Sequence, residues 1–444
     1  HGSVCEDYSK LETPILAIGG WGDAYKNAVP ELVKNAKAKG IIGPWVHKYP
    51  HFAVPKPQIG FLQEAIRWWD RWLKGIDNGC ETDPDYRVYV MKGEPPKSSY
   101  NFRDGYWIKE DRWPSKASKN KKLYLSSKNV LSLSNKKNKC QLGVIDSPQH
   151  CGLKGGEYCA IWLGPELPGD QRLDDAFSLC FDTNDLILEE DIVGSPELTI
   201  TLEANSPNGQ LAVRLCDVFP DGKSSRITYG ILNLRFRESF DSPKNISLGK
   251  EFTVKIKLDH IAYKLPKGNK LRLSLSNAYW PLVWPVSNPA KLVVKEGYLS
   301  LPLRQSAKSD EWVFPESVVS KPWQGKEIRK PCNKRQILFD EATDEVFLEI
   351  KDDFGSYKDL KNKLIISSTA REKWSIHPHD PLSAKGETHW TEERSRGNWS
   401  IRTETFSSMT SDKSHFYLKA KVEAYEKEKL IFKKKMESKI KRIL

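Results

Sequence analysis

The sequence predicts a short α/β segment followed by a longer all-β region. Residues 11–75 alternate apolar strands with amphipathic helices. After about residue 85, short segments alternate apolar and polar residues with a period of two. A chain of 444 residues is also too long for one ordinary domain, so we expect two or three.

The α/β segment is predicted from four stretches. "PILAIGG" is a continuous apolar run, typical of a strand buried on both faces. "NAVPELVKNAKAKG" predicts a helix ending at Gly40, and "GIIGPW" predicts the next buried strand. "GFLQEAIRWWDRWLKGI" predicts a second helix that stops at Gly75 and carries an apolar stripe, which we interpret as core packing. The stripe comprises Phe61, Leu62, Ala65, Trp68, Trp69, Trp72 and Leu73.

Strand patterns then fill the chain to about residue 305, for example "ELTITLEA", "LAVRLCDV" and "LRLSLS", with turn signals such as "FPDGK" between them. This spacing predicts an antiparallel sandwich or jelly roll. From about residue 306 the pattern is looser and more charged, although "RQILFDEATDEVFLEIKDD" predicts a hairpin. We therefore divide the chain into residues 1–84, 85–305 and 306–444, the last being a β-rich extension of the sandwich or a satellite domain.

Charge and cysteine content narrow the class of protein. The net charge is +12, but the 70 basic residues are interleaved with 58 acidic ones, which favours a solvated surface over a nucleic-acid site. No apolar run is long enough to cross a membrane. The cysteines show no metal-knuckle spacing, and we expect free thiols in the cytoplasm; Cys140, Cys151 and Cys159 would be close enough to pair if the protein were exported.

Asp23 and His47 are the candidate catalytic residues. Asp23 follows the first predicted strand and His47 follows the second. In a right-handed strand–helix–strand unit the two strands run parallel, so both loops emerge at the carboxyl edge of the sheet. A carboxylate beside an imidazole fixes the tautomer of the ring and stabilises its protonated form. We therefore expect Asp23 to orient His47, and His47 to serve as a general base.

The nucleophile for such a pair is expected earlier in the chain, in a Gly-x-Ser-x-Gly turn. The sequence contains no such pattern, and "HGSVCEDYSKLE" is too short to hold the strand, turn and helix required. We therefore expect the nucleophile to lie outside this chain, which by itself is predicted to be inactive.

Several segments resemble the CocE/NonD hydrolases, the relatives of cocaine esterase and of the Xaa-Pro dipeptidyl-peptidases. They include "TPILAIGGWGDAYKNAVPELV", "GIIGPWVHKYPH", "LPGDQRLDDAFSLCFDT" and "IAYKLPKGNKLRLSLSNAYWPLVWP". The resemblance implies the C-terminal part of an α/β-hydrolase sheet followed by a jelly-roll β-sandwich of the Xaa-Pro dipeptidyl-peptidase C-terminal type. It matches Asp23 to the acid and His47 to the base of the family's triad, and places the serine, the oxyanion-hole donors and the helical cap before His1.

The function implied by this resemblance is that of a portion of a serine hydrolase. The intact protein would cleave a small ester or an amide or Xaa-Pro peptide bond through an acyl-enzyme, with no cofactor and no metal. We expect no nucleic-acid or membrane partner, and a homo-oligomer is left open. The alternative is a non-catalytic jelly-roll binding or structural protein, or one half of a split enzyme.

Three other signals are interpreted as structural. His377, His379 and Asp380 in "HPHDP" invite a metal hypothesis, which local spacing alone does not support, and His389 adds nothing to it. "GDQRLDDAF" lacks the ligand pattern of a calcium loop, so we expect a hydrogen-bonded turn or an interface there. The basic terminus "KEKLIFKKKMESKIKRIL" is expected to form a final strand and a solvated tail rather than a membrane-surface helix. The acidic residues of the second motif are Asp170, Asp174 and Asp175.

Overall fold

The structure of the protein is a computed structural model. It describes residues 7–135, 141–161, 164–321 and 323–442. Strands account for 48% of the residues and helices for 9%, so the chain is mostly β.

The first elements form a parallel strand–helix–strand unit, as predicted. β1 (Ile15–Gly20) leads through α1 (Ala28–Asn35) to β2 (Ala38–Gly43), and β1 and β2 pair in parallel. The prediction that the first helix continues to Gly40 is wrong, because residues 38–40 already belong to β2. Pairing with β1 from the first residue of β2 onward outweighs the helix propensity of the Ala- and Lys-rich segment.

The second helix, α2 (Phe61–Lys74), ends where expected, because Gly75 adopts the left-handed conformation that closes a helix. Its apolar stripe, however, belongs to the core only in part. Ala65 is buried, but the prediction of core packing is wrong for the four exposed members of the stripe. The buried face instead carries Glu64, whose carboxylate accepts a hydrogen bond of 2.8 Å from Arg87. Helical periodicity identifies an apolar face but not the element that covers it. The four exposed residues are Leu62, Trp69, Trp72 and Leu73.

Fourteen further strands join β1 and β2 in one sheet of sixteen in the described part of the chain. Most pairs are antiparallel, but β3 pairs with β2 in parallel, so the sheet runs without a break from the α/β segment into the β-rich region. The strands are β3 (Tyr86–Lys92), β4 (Gly105–Glu110), β5 (Ser118–Ser126), β6 (Val130–Ser132), β7 (Gly143–Ile145), β8 (Leu179–Asp182), β9 (Glu190–Gly194), β10 (Glu197–Ala204), β11 (Gln210–Val218), β12 (Ser224–Asn233), β13 (Phe252–Lys257), β14 (Ile261–Leu265), β15 (Lys270–Ser276) and β16 (Leu292–Arg304).

The last part of the chain forms a second, antiparallel sheet of eight strands among the described residues. β18 and β19 make the predicted hairpin, and β24 pairs with β23, so the basic terminus forms a strand as expected. The strands are β17 (Gly325–Arg329), β18 (Cys332–Phe339), β19 (Val346–Asp359), β20 (Ile365–His377), β21 (Asp380–Arg396), β22 (Trp399–Ser411), β23 (His415–Glu426) and β24 (Lys429–Lys441).

The strands of the first sheet contribute most of the side chains of one large hydrophobic core. A smaller core lies where the second sheet packs against the first part of the chain. The large core runs from Ala17 in β1 to Leu301 in β16. In the smaller core, fully buried Trp280 packs with Leu348 and Ile376 of the second sheet. The eight-stranded sheet is therefore anchored by apolar contact to the segment between β15 and β16.

A buried polar turn precedes β8. The short helix α3 (Arg172–Ala176) places Asp174 so that its carboxylate accepts the backbone N–H groups of Gly152 and Lys154, each at 3.0 Å. Asp175 forms an ion pair of 2.9 Å with Arg214. The prediction of a hydrogen-bonded turn at this motif is therefore confirmed.

Asp217 gives the fold an expected dependence on pH. Its buried carboxylate accepts hydrogen bonds from Asn269 and Tyr263, and burial raises its pKa from 3.8 to about 6. Between these pH values the folded state binds more protons than the unfolded state. The free energy of unfolding should therefore fall as the pH rises from about 4 to about 6, by up to about 3 kcal/mol.

Chemical denaturation across this pH range measures the effect. Asp217→Asn should remove this part of the slope, since an amide does not titrate. An identical slope in the variant and the parent would contradict the assignment to Asp217.

Two further findings bear on the sequence predictions. The six cysteines in the described ranges are free thiols, whereas Cys5 and Cys140 lie outside the described residues. No helix in the described part of the chain combines the length and apolarity that a membrane crossing requires.

Candidate active site

Asp23 and His47 meet at the carboxyl edge of the parallel unit, as predicted. The ring nitrogen Nδ1 of His47 donates a hydrogen bond of 2.8 Å to Oδ2 of Asp23. The other carboxylate oxygen, Oδ1, accepts the backbone N–H of Tyr25 at 2.9 Å. Both oxygens of Asp23 are thus engaged, and Nε2 of His47 is the ring nitrogen left for another partner.

The two loops that carry this pair cross at very short range. The N–H of Gly22 donates to the carbonyl oxygen of Trp45 at 2.9 Å. A Cβ atom on Gly20 would lie 2.2 Å from that same oxygen. The glycines of the Gly-Gly-Trp-Gly-Asp segment therefore allow the close approach that brings the two side chains together.

Burial differs sharply between the two partners. The side chain of Asp23 is 13% exposed, whereas that of His47 is 50% exposed. A buried carboxylate is a fixed partner, and a half-exposed imidazole is accessible to a reacting group. This division suits an orienting acid and a proton-transferring base.

A third loop, which the sequence analysis did not connect with the pair, closes over it. The backbone N–H of His47 donates to the carbonyl oxygen of Ala160 at 2.8 Å. The preceding residue, Cys159, thereby lies beside the pair, within 4.8 Å of both partners. No spacing pattern could have predicted this contact, because the loop comes from the distant segment between β7 and α3.

A cavity of about 120 Å³ lies beside the loop that carries Asp23. Its lining includes Gly22, next to Asp23, and the cationic side chains of Lys26, Arg103 and Arg226. Burial lowers the pKa of Lys26, an effect opposed by Asp259 at 3.1 Å. A ligand group entering this cavity would meet cationic donors. The sequence analysis missed Lys26, which lies on the loop that carries Asp23.

The other signals lie elsewhere in the fold. His377 and His379 lie at the turn between β20 and β21, where the N–H of His379 donates to Nδ1 of His377 at 3.2 Å. Asp380 caps the N–H of Leu382 at 2.8 Å. These contacts are those of a structural turn. His389 stacks on Phe406 in the second sheet, with ring centroids 4.1 Å apart.

The fold and the site together define a class of protein. It is a mostly β protein whose sheet begins with a parallel strand–helix–strand unit, and that unit carries a hydrogen-bonded carboxylate–imidazole pair at its carboxyl edge. The family model of the X-Pro dipeptidyl-peptidase C-terminal non-catalytic domain matches residues 78–309, more than half of the chain. The chain belongs to this family, and its resemblance to the CocE/NonD hydrolases is confirmed. Asp23 and His47 lie outside the matched range.

Curated relatives and solved structures match the chain over up to about two thirds of its length. Cocaine esterase of Rhodococcus sp. strain MB1 Bresler is 22% identical over 320 residues, which cover 66% of this chain and 54% of that protein. A CocE/NonD family hydrolase from Staphylococcus aureus has a TM-score of 0.50 at 12% identity, covering 67% of this chain and 55% of that one.

An aminopeptidase from the marine sediment archaeon Thaumarchaeota archaeon has a TM-score of 0.50 at 18% identity, covering 66% of this chain and 55% of that one. At such identities the two structures show likeness of fold alone. The chain spans about half the length of the curated relatives it matches, or less.

Proposed function

We propose that this chain carries the acid and the base of a Ser–His–Asp acyl hydrolase. The observation behind the proposal is the hydrogen bond of 2.8 Å between His47 and the buried carboxylate of Asp23 at the carboxyl edge of the sheet. In the proposed mechanism His47 takes the proton of the nucleophile, and then returns it to the leaving group. Asp23 fixes the tautomer of the imidazole and stabilises its protonated form.

The nucleophile in this proposal is a serine supplied by sequence outside this chain. Two surfaces support the presence of further sequence in the working protein. The exposed face of α2 carries a row of four apolar side chains at successive spacings of four, three and four residues. They are Leu62, Ile66, Trp69 and Leu73. Among the described strands, β1 pairs with β2 alone and leaves its other edge open. Both features are typical of surfaces that another part of a protein covers.

In this proposal β1, α1, β2 and α2 are the C-terminal part of an α/β-hydrolase sheet, and most of the strands that follow form a jelly roll. The bond cleaved is that of an ester, an amide or an Xaa-Pro peptide. The similarity to cocaine esterase supports an ester substrate, and the similarity to the X-Pro dipeptidyl-peptidase domain supports an Xaa-Pro peptide. The chain alone is expected to be inactive, because an imidazole and a carboxylate without a nucleophile form no acyl-enzyme.

The test compares the product of the full coding region with this chain alone. Both are assayed with p-nitrophenyl esters and with Xaa-Pro p-nitroanilides, and both are treated with a fluorophosphonate probe. We expect turnover and labelling of a serine in the full product, and neither in the chain alone. A full product that neither hydrolyses these substrates nor reacts with the probe would overturn the proposal in favour of a binding protein. Hydrolysis by the chain alone would overturn the external nucleophile.

A further inference from the structure

Cys159 adds a third metal-binding type of side chain to the Asp23–His47 pair. A carboxylate oxygen of Asp23, a ring nitrogen of His47 and the sulfur of Cys159 all lie within 4.8 Å of one another. In the described ranges of the chain, this is the one cluster of three His, Cys, Asp or Glu side chains with such spacing. The proposed hydrolase mechanism makes no use of the thiol.

We propose that Asp23, His47 and Cys159 form a binding site for a soft divalent metal ion of the zinc type. Zinc binds imidazole nitrogen, thiolate sulfur and carboxylate oxygen at about 2.0–2.3 Å, with tetrahedral geometry. Such a geometry separates the ligand atoms from one another by about 3.3–3.6 Å. Ligand atoms at the upper limit of the observed spacing, 4.8 Å, would therefore have to move closer together by about 1.2–1.5 Å when a metal binds. A fourth position remains for water.

Backbone hydrogen bonds hold the three ligands in place. The N–H of Asp23 donates to the carbonyl oxygen of Gly20 at 3.0 Å, and the N–H of His47 donates to Ala160, the neighbour of Cys159. The ligands thus come from three loops that are tied together before any metal binds. The half-exposed side chain of His47 gives an ion a path from solvent.

The chemistry of the ligands selects the ion. A thiolate and a carboxylate together carry two negative charges, which match those of a divalent cation. Sulfur and imidazole ligands favour zinc and similar ions, whereas magnesium and calcium prefer oxygen ligands. On binding, the thiol of Cys159 releases its proton to solvent.

Metal binding and hydrolysis would compete, because both use Asp23 and His47. This consequence rests on the proposed function, whereas the metal site itself does not. A metal-binding measurement therefore tests the site even in a protein that hydrolyses nothing.

The experiment titrates the purified chain with Co²⁺ and with Zn²⁺ under reducing conditions free of chelator. Ligation of Co²⁺ by a thiolate gives a sulfur-to-metal charge-transfer band in the near ultraviolet, and calorimetry gives the affinity for Zn²⁺. We expect one ion per chain and a charge-transfer band. Cys159→Ala should abolish the band. It should also weaken Zn²⁺ binding by more than about 10-fold, because losing even an outer-shell partner typically weakens metal affinity by at least that factor.

Two further variants complete the test. Cys332→Ala removes an exposed thiol of the second sheet and should leave the band and the affinity unchanged. Asp23→Asn should weaken Zn²⁺ binding and retain the band, since the thiolate is still present. A band that survives in Cys159→Ala, or that is lost only in Cys332→Ala, would overturn the proposal. Parent-like circular dichroism of each variant excludes misfolding as the cause.

Discussion

Replacing His47 by glutamine in the product of the full coding region should lower kcat by about 10⁶-fold, which is the loss typical when the base of a serine hydrolase is removed. Asp23→Asn should lower kcat by about 10⁴-fold, because an amide stabilises the wrong tautomer of the imidazole. The geometry behind both expectations is the 2.8 Å hydrogen bond between the two side chains. KM should change far less than kcat, since neither group is proposed to bind the substrate in its ground state.

Steady-state kinetics on an ester or Xaa-Pro anilide substrate measures these losses. His389→Gln is the matched control, because His389 also bonds to a carboxylate, that of Glu404, but lies in the second sheet. The control should retain the activity of the parent. Activity in His47→Gln within 10-fold of the parent, with the control intact, would contradict the assignment of the base.

The second large effect is expected on stability. Asp175→Ala should lower the free energy of unfolding by about 3–5 kcal/mol, because it leaves a buried charge without its partner. Asp175 and Arg214 are almost fully buried and lie 2.9 Å apart. The same carboxylate also accepts hydrogen bonds from Ser224 at 2.8 Å and Ser274 at 2.7 Å. Removing it takes the carboxylate partner from each of these three buried donors, and Arg214 keeps only the neutral acceptors Gln171 and Ser178.

Denaturant titration of this chain, followed by circular dichroism, gives the change in stability. Asp221→Ala is the control, since Asp221 pairs with Lys223 on the surface at 2.8 Å. Exposed pairs of this kind contribute little, so the control should unfold with the parent. Equal unfolding curves for Asp175→Ala and the parent would show that the buried pair does not support the fold.

Much of the fold follows from local pattern. The apolar run of β2 matches its burial on both faces, and the two-residue alternation of β10 matches its burial on one face. The run of β1 correctly predicted a strand, but that strand is only partly buried, and β11 is buried at every position. The meeting of Asp23 and His47 was also predictable, because two parallel strands place their following loops at one edge. That argument needs only the order of the elements, and no side-chain detail.

The features that sequence analysis missed depend on contacts between distant segments. α1 ends at Asn35 because residues from Ala38 onward pair with β1. The hydrogen bonds of this pairing join separate segments of the chain, so the local sequence pattern does not reveal them. The covering of α2 depends on which element lies opposite it, a property that its own periodicity does not encode. Cys159 lies beside His47 because its neighbour Ala160 accepts a backbone hydrogen bond from His47. These two residues are more than one hundred positions apart in the sequence.

The link between His47 and Ala160 bears on how such a protein can be recombined. The candidate base lies in the α/β segment, but its backbone is held by a loop from the β-rich region, and β3 continues the ladder of β2. A chimaera that takes the α/β segment from one homologue and the β-rich region from another would therefore combine unmatched partners at the contact between His47 and Ala160. In gene shuffling, functional hybrids should therefore take His47 and the loop of Ala160 from the same parent, with crossovers outside the stretch between them.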